Sequence, residues 1–525
     1  MGLYINSGSE LFEEARRGNI YVDKSGIINY INSVIRTNNK YICVSRPRIF
    51  GKTMGINMLL AYYGVNNNAD NLFKDLKAET NNKYANSFFT VKINGVTIFE
   101  EAESTKEAIN DLRAEIINEL KCEFENIDFS ECKKFSSYFS KVYNETKRQF
   151  IILVDEWDGI FREMQNDEEG HKVYLTFLRN WLKDKEYIAL AYMTGILPIK
   201  KYGQHSALNM FKEFSMENPG VLAEYVGFTK DEVKNLCKQY DMDYDLCGQW
   251  YNGYHFANDI DIYSPLSVSS SMTDHSFASY WNKTESYEAL QKYIQMNFDG
   301  LKDVIIRLMS GDVYKINTRK FANDMVSFKS IDDILTLLVH LGYLGYDLTT
   351  ECVYIPNKEV RMEYYSSIED DVSMGIVVNA IKNSDNLLKA TWELNSAAVA
   401  EGIEAAHFET SHLQYNDENA LSYVISLAYY TAREKYTIHR EFPTGKGFAD
   451  LTFIPRANYP NIPAMVIELK FDNTAETAIN QIKNKKYTKK LEDYAGNIII
   501  AGISYNKKSK KHECIIEKCT KKITI

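Results

Sequence analysis

Near its C-terminal end the chain reads Gly445-Lys446-Gly447-Phe448-Ala449-Asp450-Leu451-Thr452-Phe453-Ile454, and then Ala464-Met465-Val466-Ile467-Glu468-Leu469-Lys470-Phe471. A turn and an acid open one apolar run, and the next run carries Glu-x-Lys. Side chains alternate faces along a strand, so Glu468 and Lys470 leave theirs on the same side. If the two runs pair, Asp450 comes beside Glu468. Two carboxylates and the Leu469 carbonyl then offer oxygen ligands suited to a hard divalent cation. Lys470 stands beside that centre, able to orient or help deprotonate a water, an arrangement fitted to metal-assisted phosphodiester hydrolysis.

The flanking pattern extends this reading. Residues 418–433 form a helix with Leu421, Val424, Ile425 and Ala428 apolar, and 436–442 alternate as a strand. A turn covers 444–447, a second helix 476–494, and a buried strand 497–505. This order resembles the PD-(D/E)xK nuclease superfamily, whose core is αβββαβ. The resemblance implies Mg²⁺ or Mn²⁺ held by Asp450, Glu468 and the carbonyl of Leu469, with Lys470 catalytic. It also implies that Gln481 and Tyr487, on the second helix, lie beside the site. Ala449 stands where the superfamily commonly has Pro. An acid on the first helix often adds a ligand there; Glu418 and Glu409 are the nearest, and neither is assigned.

A second pattern occupies the N-terminal half. Lys40 to Ser45 is a short apolar strand. It leads through Arg46-Pro47-Arg48-Ile49-Phe50-Gly51-Lys52-Thr53 into an apolar helix from Met54 to Tyr63. Strand, loop, Gly-Lys-Thr and helix follow the P-loop order, in which backbone N–H groups at a helix start cradle phosphates. Lys52 would reach the β- and γ-phosphates and the Thr53 hydroxyl would hold Mg²⁺. Arg46 replaces the first Gly of the usual loop. The apolar run from Gln149 ends in Asp155-Glu156, the Walker B form: Asp155 to organise Mg²⁺, Glu156 to position or activate a water. A third strand, Tyr187 to Met193, ends at Thr194, a polar residue placed to sense a γ-phosphate. Strands alternating with helices imply a mostly parallel sheet with its ligand at the carboxyl ends.

These residues resemble the AAA-ATPase-like domain fused to a PD-(D/E)xK module in many bacterial proteins. The match is carried by Tyr21-Val22-Asp23-Lys24-Ser25, by Ser45 to Thr53 against R-P-R-R-F-G-K-[ST], by Val154 to Asp158, and by Thr194 to Leu197. Trp250 to Tyr254, Ile262 to Pro265, Tyr280-Trp281 and Ile355 to Val360 continue it in order. It implies ATP as a ligand, surrounded by Arg46, Arg48, Gly51, Lys52, Thr53, Asp155 and Thr194, with Glu156 catalytic. Ile49 stands where Arg is usual, a change that points to weaker hydrolysis.

Composition sets the bounds. The 525 residues suit two to four domains. A net charge of −10 does not advertise nucleic-acid binding, but the C-terminal part gathers Lys483, Lys485, Lys486, Lys489, Lys490, Lys507, Lys508, Lys510 and Lys511. By itself that reads first as a solvated helix face and loop. Eight scattered Cys without C-x-x-C spacing suit a reducing compartment. No signal segment or membrane-spanning stretch is evident, so a cytoplasmic protein with no membrane partner is expected.

The expected fold is α/β: a P-loop NTPase domain over 1–227, a helical, winged-helix-like middle over 228–400, and a restriction-endonuclease-like core over 401–525, with a hinge at Ala397 to Ala406. The middle helices are expected over 231–240, 287–296 and 331–341, followed by a small hairpin over 342–355. The function expected is an ATP-regulated, Mg²⁺-dependent nuclease, acting on DNA before RNA, with self-association left open. The alternative is a nucleotide-dependent binding switch whose C-terminal module binds nucleic acid or protein and cleaves little. The joint presence of Asp450, Glu468 and Lys470 favours the first.

Overall fold

The computed structural model describes the chain except residues 1, 79–82, 101, 200–206, 258, 282–285, 322–327, 370–373, 410–417, 445–446, 486, 488–490, 492–496 and 520–525. Lys486, Lys489 and Lys490 therefore lie outside the described residues. The chain divides into two compact units: Met1–Leu290 with Tyr314–Glu363, and Gln291–Val313 with Tyr364–Ile525.

The first unit is built on a parallel sheet. Its strands are β1 (Tyr41–Ser45), β2 (Phe89–Asn94), β3 (Phe150–Asp155), β4 (Ile188–Gly195) and β5 (Lys212–Phe214), in the order β2-β3-β4-β1-β5. Every pairing is parallel. β1, β3 and β4 are buried along their whole length, which is why they read as unbroken apolar runs. Their polar residues fall at the carboxyl ends: Ser45, Asp155 and Thr194.

Two smaller antiparallel sheets follow in the same unit. β6 (Phe228–Thr229), β7 (Tyr254–Phe256) and β8 (Ile260–Tyr263) run in the order β6-β8-β7. Trp250, Tyr251 and Tyr263 pack there with Val233 and Val268 from the flanking helices. β9 (Tyr314–Lys315), β10 (Gly345–Asp347) and β11 (Cys352–Tyr354) run in the order β10-β11-β9, so the expected hairpin gains a third strand. The three expected helices are Lys230–Gln239, Ser286–Met296 and Ile331–Leu341.

The second unit holds one five-stranded mixed sheet: β12 (Tyr436–Thr444), β13 (Gly447–Pro455), β14 (Ala464–Phe471), β15 (Ile498–Asn506) and β16 (Lys511–Cys519), in sequence order. β14 and β15 are parallel, joined through the helix Ala475–Lys485; the other pairs are antiparallel. With the helix Glu418–Ala428 the order αβββαβ is present, and β16 adds an edge strand. Met465, Ile467 and Leu469 of β14 enter a core with Leu421, Val424 and Phe453. Ala464 and Val466 enter a second core with Ile479 and Ile482. Glu468 and Lys470 continue this second face. The expected hinge at 397–406 lies within the helix Ser396–Glu409. Its alanines favour helix, and Val399 and Ile403 are fully buried. Among the described residues no helix is long and apolar enough to cross a membrane.

Candidate active sites

In the first unit the loop leaving β1 turns through Gly51, at φ +86°, into the helix Lys52–Tyr63. A Cβ at Gly51 would meet nothing within 4 Å, so this position demands glycine through its backbone angle. Lys52 is buried, and its Nζ donates to the carbonyls of Pro47 (2.7 Å) and Arg46 (3.1 Å). Burial pulls the ammonium down to about 8, against the opposing pull of Glu156, Asp158 and Asp155. Thr53 is exposed and, with Arg48, Gly51, Lys52 and Glu156, lines a cavity of about 1030 Å³. Tyr21, Phe228 and Leu266 line it too.

Arg46 departs from the expected phosphate role. It is fully buried, and its Nη1 donates to the carbonyls of Ser45 (2.9 Å) and Phe214 (3.1 Å), while the guanidinium covers the Phe256 ring at 5.2 Å. It braces β5 against β1 from within.

Asp155 ends β3. Its Oδ1 accepts from Thr194 Oγ1 at 2.5 Å and from the Glu156 N–H at 3.2 Å. Its Oδ2 is buried and has no hydrogen-bond partner among the described residues. The Thr194 hydroxyl is thus committed to Asp155. Glu156 sits at φ +47° and pairs with Arg162, whose Nη1 also lies 3.4 Å from Asp158 Oδ1. Asp158 Oδ2 accepts the N–H groups of Ile196 (2.9 Å) and Leu197 (2.7 Å) and so fixes the turn after β4. The backbone packs tightly here: a Cβ on Gly95 would fall 2.1 Å from the Glu156 carbonyl oxygen. Sequence reasoning missed Arg162. The available signal was its spacing, four residues after Asp158, if a helical turn begins there.

In the second unit Leu451 of β13 stands opposite Ile467 of β14, which brings Asp450 beside Glu468. Asp450 Oδ2 accepts the Leu469 N–H at 2.7 Å. Glu468 Oε1 accepts from Lys470 Nζ at 3.2 Å and from Gln481 Nε2, which also reaches Tyr487 Oη at 3.3 Å. Lys470 Nζ donates to the Leu469 carbonyl at 2.8 Å. Glu468 is 1% exposed, and its Oε2 has no hydrogen-bond partner among the described residues. Burial, then the charge of Asp450, push its carboxyl up to about 7, with Lys470 opposing. Asp450, Glu468, Leu469, Lys470 and Gln481 are therefore gathered at one place. The side chains of Glu409 and Glu418 lie outside the described residues.

Both places fit a divalent cation by donor chemistry. Each has a buried carboxylate oxygen without a hydrogen bond among the described residues, Asp155 Oδ2 in one and Glu468 Oε2 in the other. Hard oxygen donors surround each, and among the described residues no group of three His, Cys, Asp or Glu side chains gathers to hold a metal ion. The residues that could hold a cation are therefore mixed in kind: Thr53 and Asp155 in the first, and Asp450, Glu468 and the Leu469 carbonyl in the second.

No curated protein matches the chain. Among solved structures, one titled "Structure of the Aeropyrum Pernix ORC2 protein (ADPNP-ADP complexes)" is similar over 69% of this chain and 98% of its own, at 9% identity. Its TM-score of 0.26 is too low to carry an argument. Residues 7–204 match the family described as Predicted AAA-ATPase, and residues 417–514 match the PD-(D/E)XK nuclease superfamily. The two matches support nucleotide binding and hydrolase chemistry. The chain joins a predicted AAA-ATPase domain to a domain of the PD-(D/E)XK nuclease superfamily.

Proposed function

We propose that this protein is a nuclease whose second unit hydrolyses phosphodiester bonds with Mg²⁺ or Mn²⁺, and whose first unit binds ATP and regulates it. The observation that carries the proposal is the buried, unpartnered Oε2 of Glu468 in a cluster with Asp450 and Lys470. A buried carboxylate oxygen without a partner is costly unless the group is protonated or a cation fills the place. Asp450, Glu468 and the Leu469 carbonyl would hold the metal, which when bound supplies charge stabilisation and an acidified water. Gln481 and Lys470 both donate to Glu468 Oε1, so they leave Oε2 as the oxygen available to a cation. Lys470 is the group placed to orient the attacking water and hold a proton near it.

In the first unit Lys52, Thr53 and Arg48 line the cavity where nucleotide phosphates would lie. Asp155 Oδ2 and the Thr53 hydroxyl would hold Mg²⁺ there. Glu156 is the candidate for orienting water, once its pairing with Arg162 is released. DNA is the preferred substrate and the cytoplasm of a bacterium the expected setting.

The test is cleavage of labelled linear, circular and single-stranded DNA and of RNA, with Mg²⁺ or Mn²⁺, each with and without ATP. Metal-dependent cutting that ATP modulates supports the whole reading. Cutting indifferent to ATP removes the regulation. No cutting of any substrate by a protein that binds ATP favours the binding switch.

A further inference from the structure

We infer that the turn joining β15 to β16, Lys507-Lys508-Ser509-Lys510, with Lys511 at the start of β16, is a clamp for the nucleic-acid backbone that holds substrate beyond the Asp450–Glu468 centre. The inference rests on the nuclease reading above and names where the substrate runs. Its basis is placement. β14 and β15 are parallel, with Lys470 opposite Ser504 and Phe471 opposite Tyr505. The strand that carries Glu468 and Lys470 therefore ends beside the strand that feeds the turn.

The turn is built rather than loose. Asp472, which follows β14, donates its N–H to the Tyr505 carbonyl and accepts the Lys507 N–H on Oδ1, both at 2.8 Å. Asn506 Oδ1 accepts the N–H groups of Lys508 and Ser509, each at 3.0 Å. Lys510, at φ +56°, closes the turn onto the Asn506 carbonyl at 2.8 Å. The end of the catalytic strand thus holds the base of the turn directly.

Charge supplies the rest. Residues Lys507 to Lys511 carry four lysines and no acid, and all are exposed, in a chain of net charge −10. Lysines on a sheet edge can also serve to block edge-to-edge pairing. That role belongs along the strand, and the edge strand β16 carries Glu513 and Glu517 as well as Lys511 and Lys518. Lys483, on the helix after β14, is already paired with Glu517 at 2.7 Å. Lys507 to Lys511 form a positive segment uninterrupted by any acid. At about 3.3 Å per residue, its backbone begins roughly 10 Å past the residue facing Lys470. With about 3.4 Å per base step, lysine reach covers phosphates roughly three to six base steps from the bond cut.

The experiment uses the full chain with Lys507→Gln, Lys508→Gln, Lys510→Gln and Lys511→Gln together, and a milder form with Lys508→Gln and Lys510→Gln alone. Binding of a labelled duplex of about 30 base pairs is measured between about 50 and 200 mM salt, with Asp450→Ala in every protein to prevent cutting. A charge-matched control changes Lys106, Lys133, Lys234 and Lys238 to Gln, all exposed and in the first unit. The fourfold variant is expected to flatten the slope of log affinity against log salt by about two to four, near 0.9 for each phosphate no longer neutralised, and the double variant by about half as much. The control keeps the parent slope. In proteins retaining Asp450, KM rises for the fourfold variant far more than kcat falls. Parent-like slopes in both turn variants, from a parent that cuts, overturn the clamp alone. A parent that neither binds nor cuts nucleic acid overturns the nuclease reading, and the clamp with it.

Discussion

Lys52 and Lys470 each sit beside a buried carboxylate, yet different partners hold them. Lys52 is drawn onto the carbonyls of its own loop, Pro47 and Arg46, while Asp155 takes its hydrogen bond from Thr194. Lys470 donates to Glu468 itself and, with Gln481, occupies one of its oxygens. The first site therefore waits with a lysine that a ligand must draw away from the loop. In the proposed function the second would take its cation on Glu468 Oε2, the oxygen that Lys470 and Gln481 leave without a hydrogen bond among the described residues. The two titrations run in opposite senses. Lys52 loses its charge above about 8 and Glu468 gains its charge above about 7. Between those values both sites are in their binding forms.

The same shifts each contribute to the pH dependence of stability in the ligand-free protein. The folded-state value of Glu468 is raised, so the native state holds more protons than the unfolded chain between the ordinary carboxylate range and about pH 7. The contribution of Glu468 to stability falls as pH rises through that window. The value of Lys52 is lowered, so above about pH 8 the unfolded chain holds more protons and stability recovers. Near neutrality both groups weigh against the folded state, and in the proposed function metal or nucleotide would stabilise by removing that cost.

The largest expected effect comes from Glu468→Gln, which keeps the shape of the site but removes its anionic ligand. Cleavage should fall by about a thousandfold or more, since a metal supplies several kcal/mol of charge stabilisation and each step of about 1.36 kcal/mol is tenfold. A parent-like rate in a gel assay would end the parallel between the two acids. Next, Lys52→Ala should weaken ATP binding by about 10- to 100-fold, the worth of a charged hydrogen bond. Calorimetry showing unchanged affinity would remove Lys52 from the phosphate site. The pH profiles sharpen the contrast. Mn²⁺ affinity should rise by up to about tenfold per pH unit below about 7 and level off above it; ATP affinity should stay level below about 8 and decline above it. Two profiles that bend at the same pH in the same direction would contradict the account. The smallest effect belongs to an exposed lysine: Lys483→Gln breaks the pair with Glu517 and should shift unfolding free energy by less than about 1 kcal/mol in denaturant melts. A larger loss would mean that this pair does more than decorate the surface.

Much of both sites was legible in sequence because the same signal marks them: an apolar run, buried on both sides, that ends in a polar residue. Asp155, Thr194 and Glu468 all occur this way, and the Gly-Lys-Thr turn follows β1 as its order requires. What was not legible depends on distant residues. Nothing near Arg46 announces that the Phe214 carbonyl and the Phe256 ring will hold its guanidinium, or that it turns inward while Arg48 faces the cavity. Arg162 becomes an ion partner only because Glu156 and Asp158 fold back toward it. β16 mixes charges with apolar residues, as an edge strand does, and so hid its strand character. The alanine-rich segment at 397–406 looks flexible until Val399 and Ile403 are seen in the core. Residues 291–313 join the second unit through Asp312, which lies 3.4 Å from Arg440, a pairing across more than a hundred residues that no local pattern reveals.

In the proposed function Asp450, Glu468 and Lys470 form one metal-dependent cleavage centre. Its most direct test is the single-turnover cleavage rate of a linear duplex with Mg²⁺, compared between the parent chain and Asp450→Ala. Cutting by the parent should need the metal and disappear in the variant. Equal rates in the two proteins, or cutting that persists in a chelator, would contradict the claim.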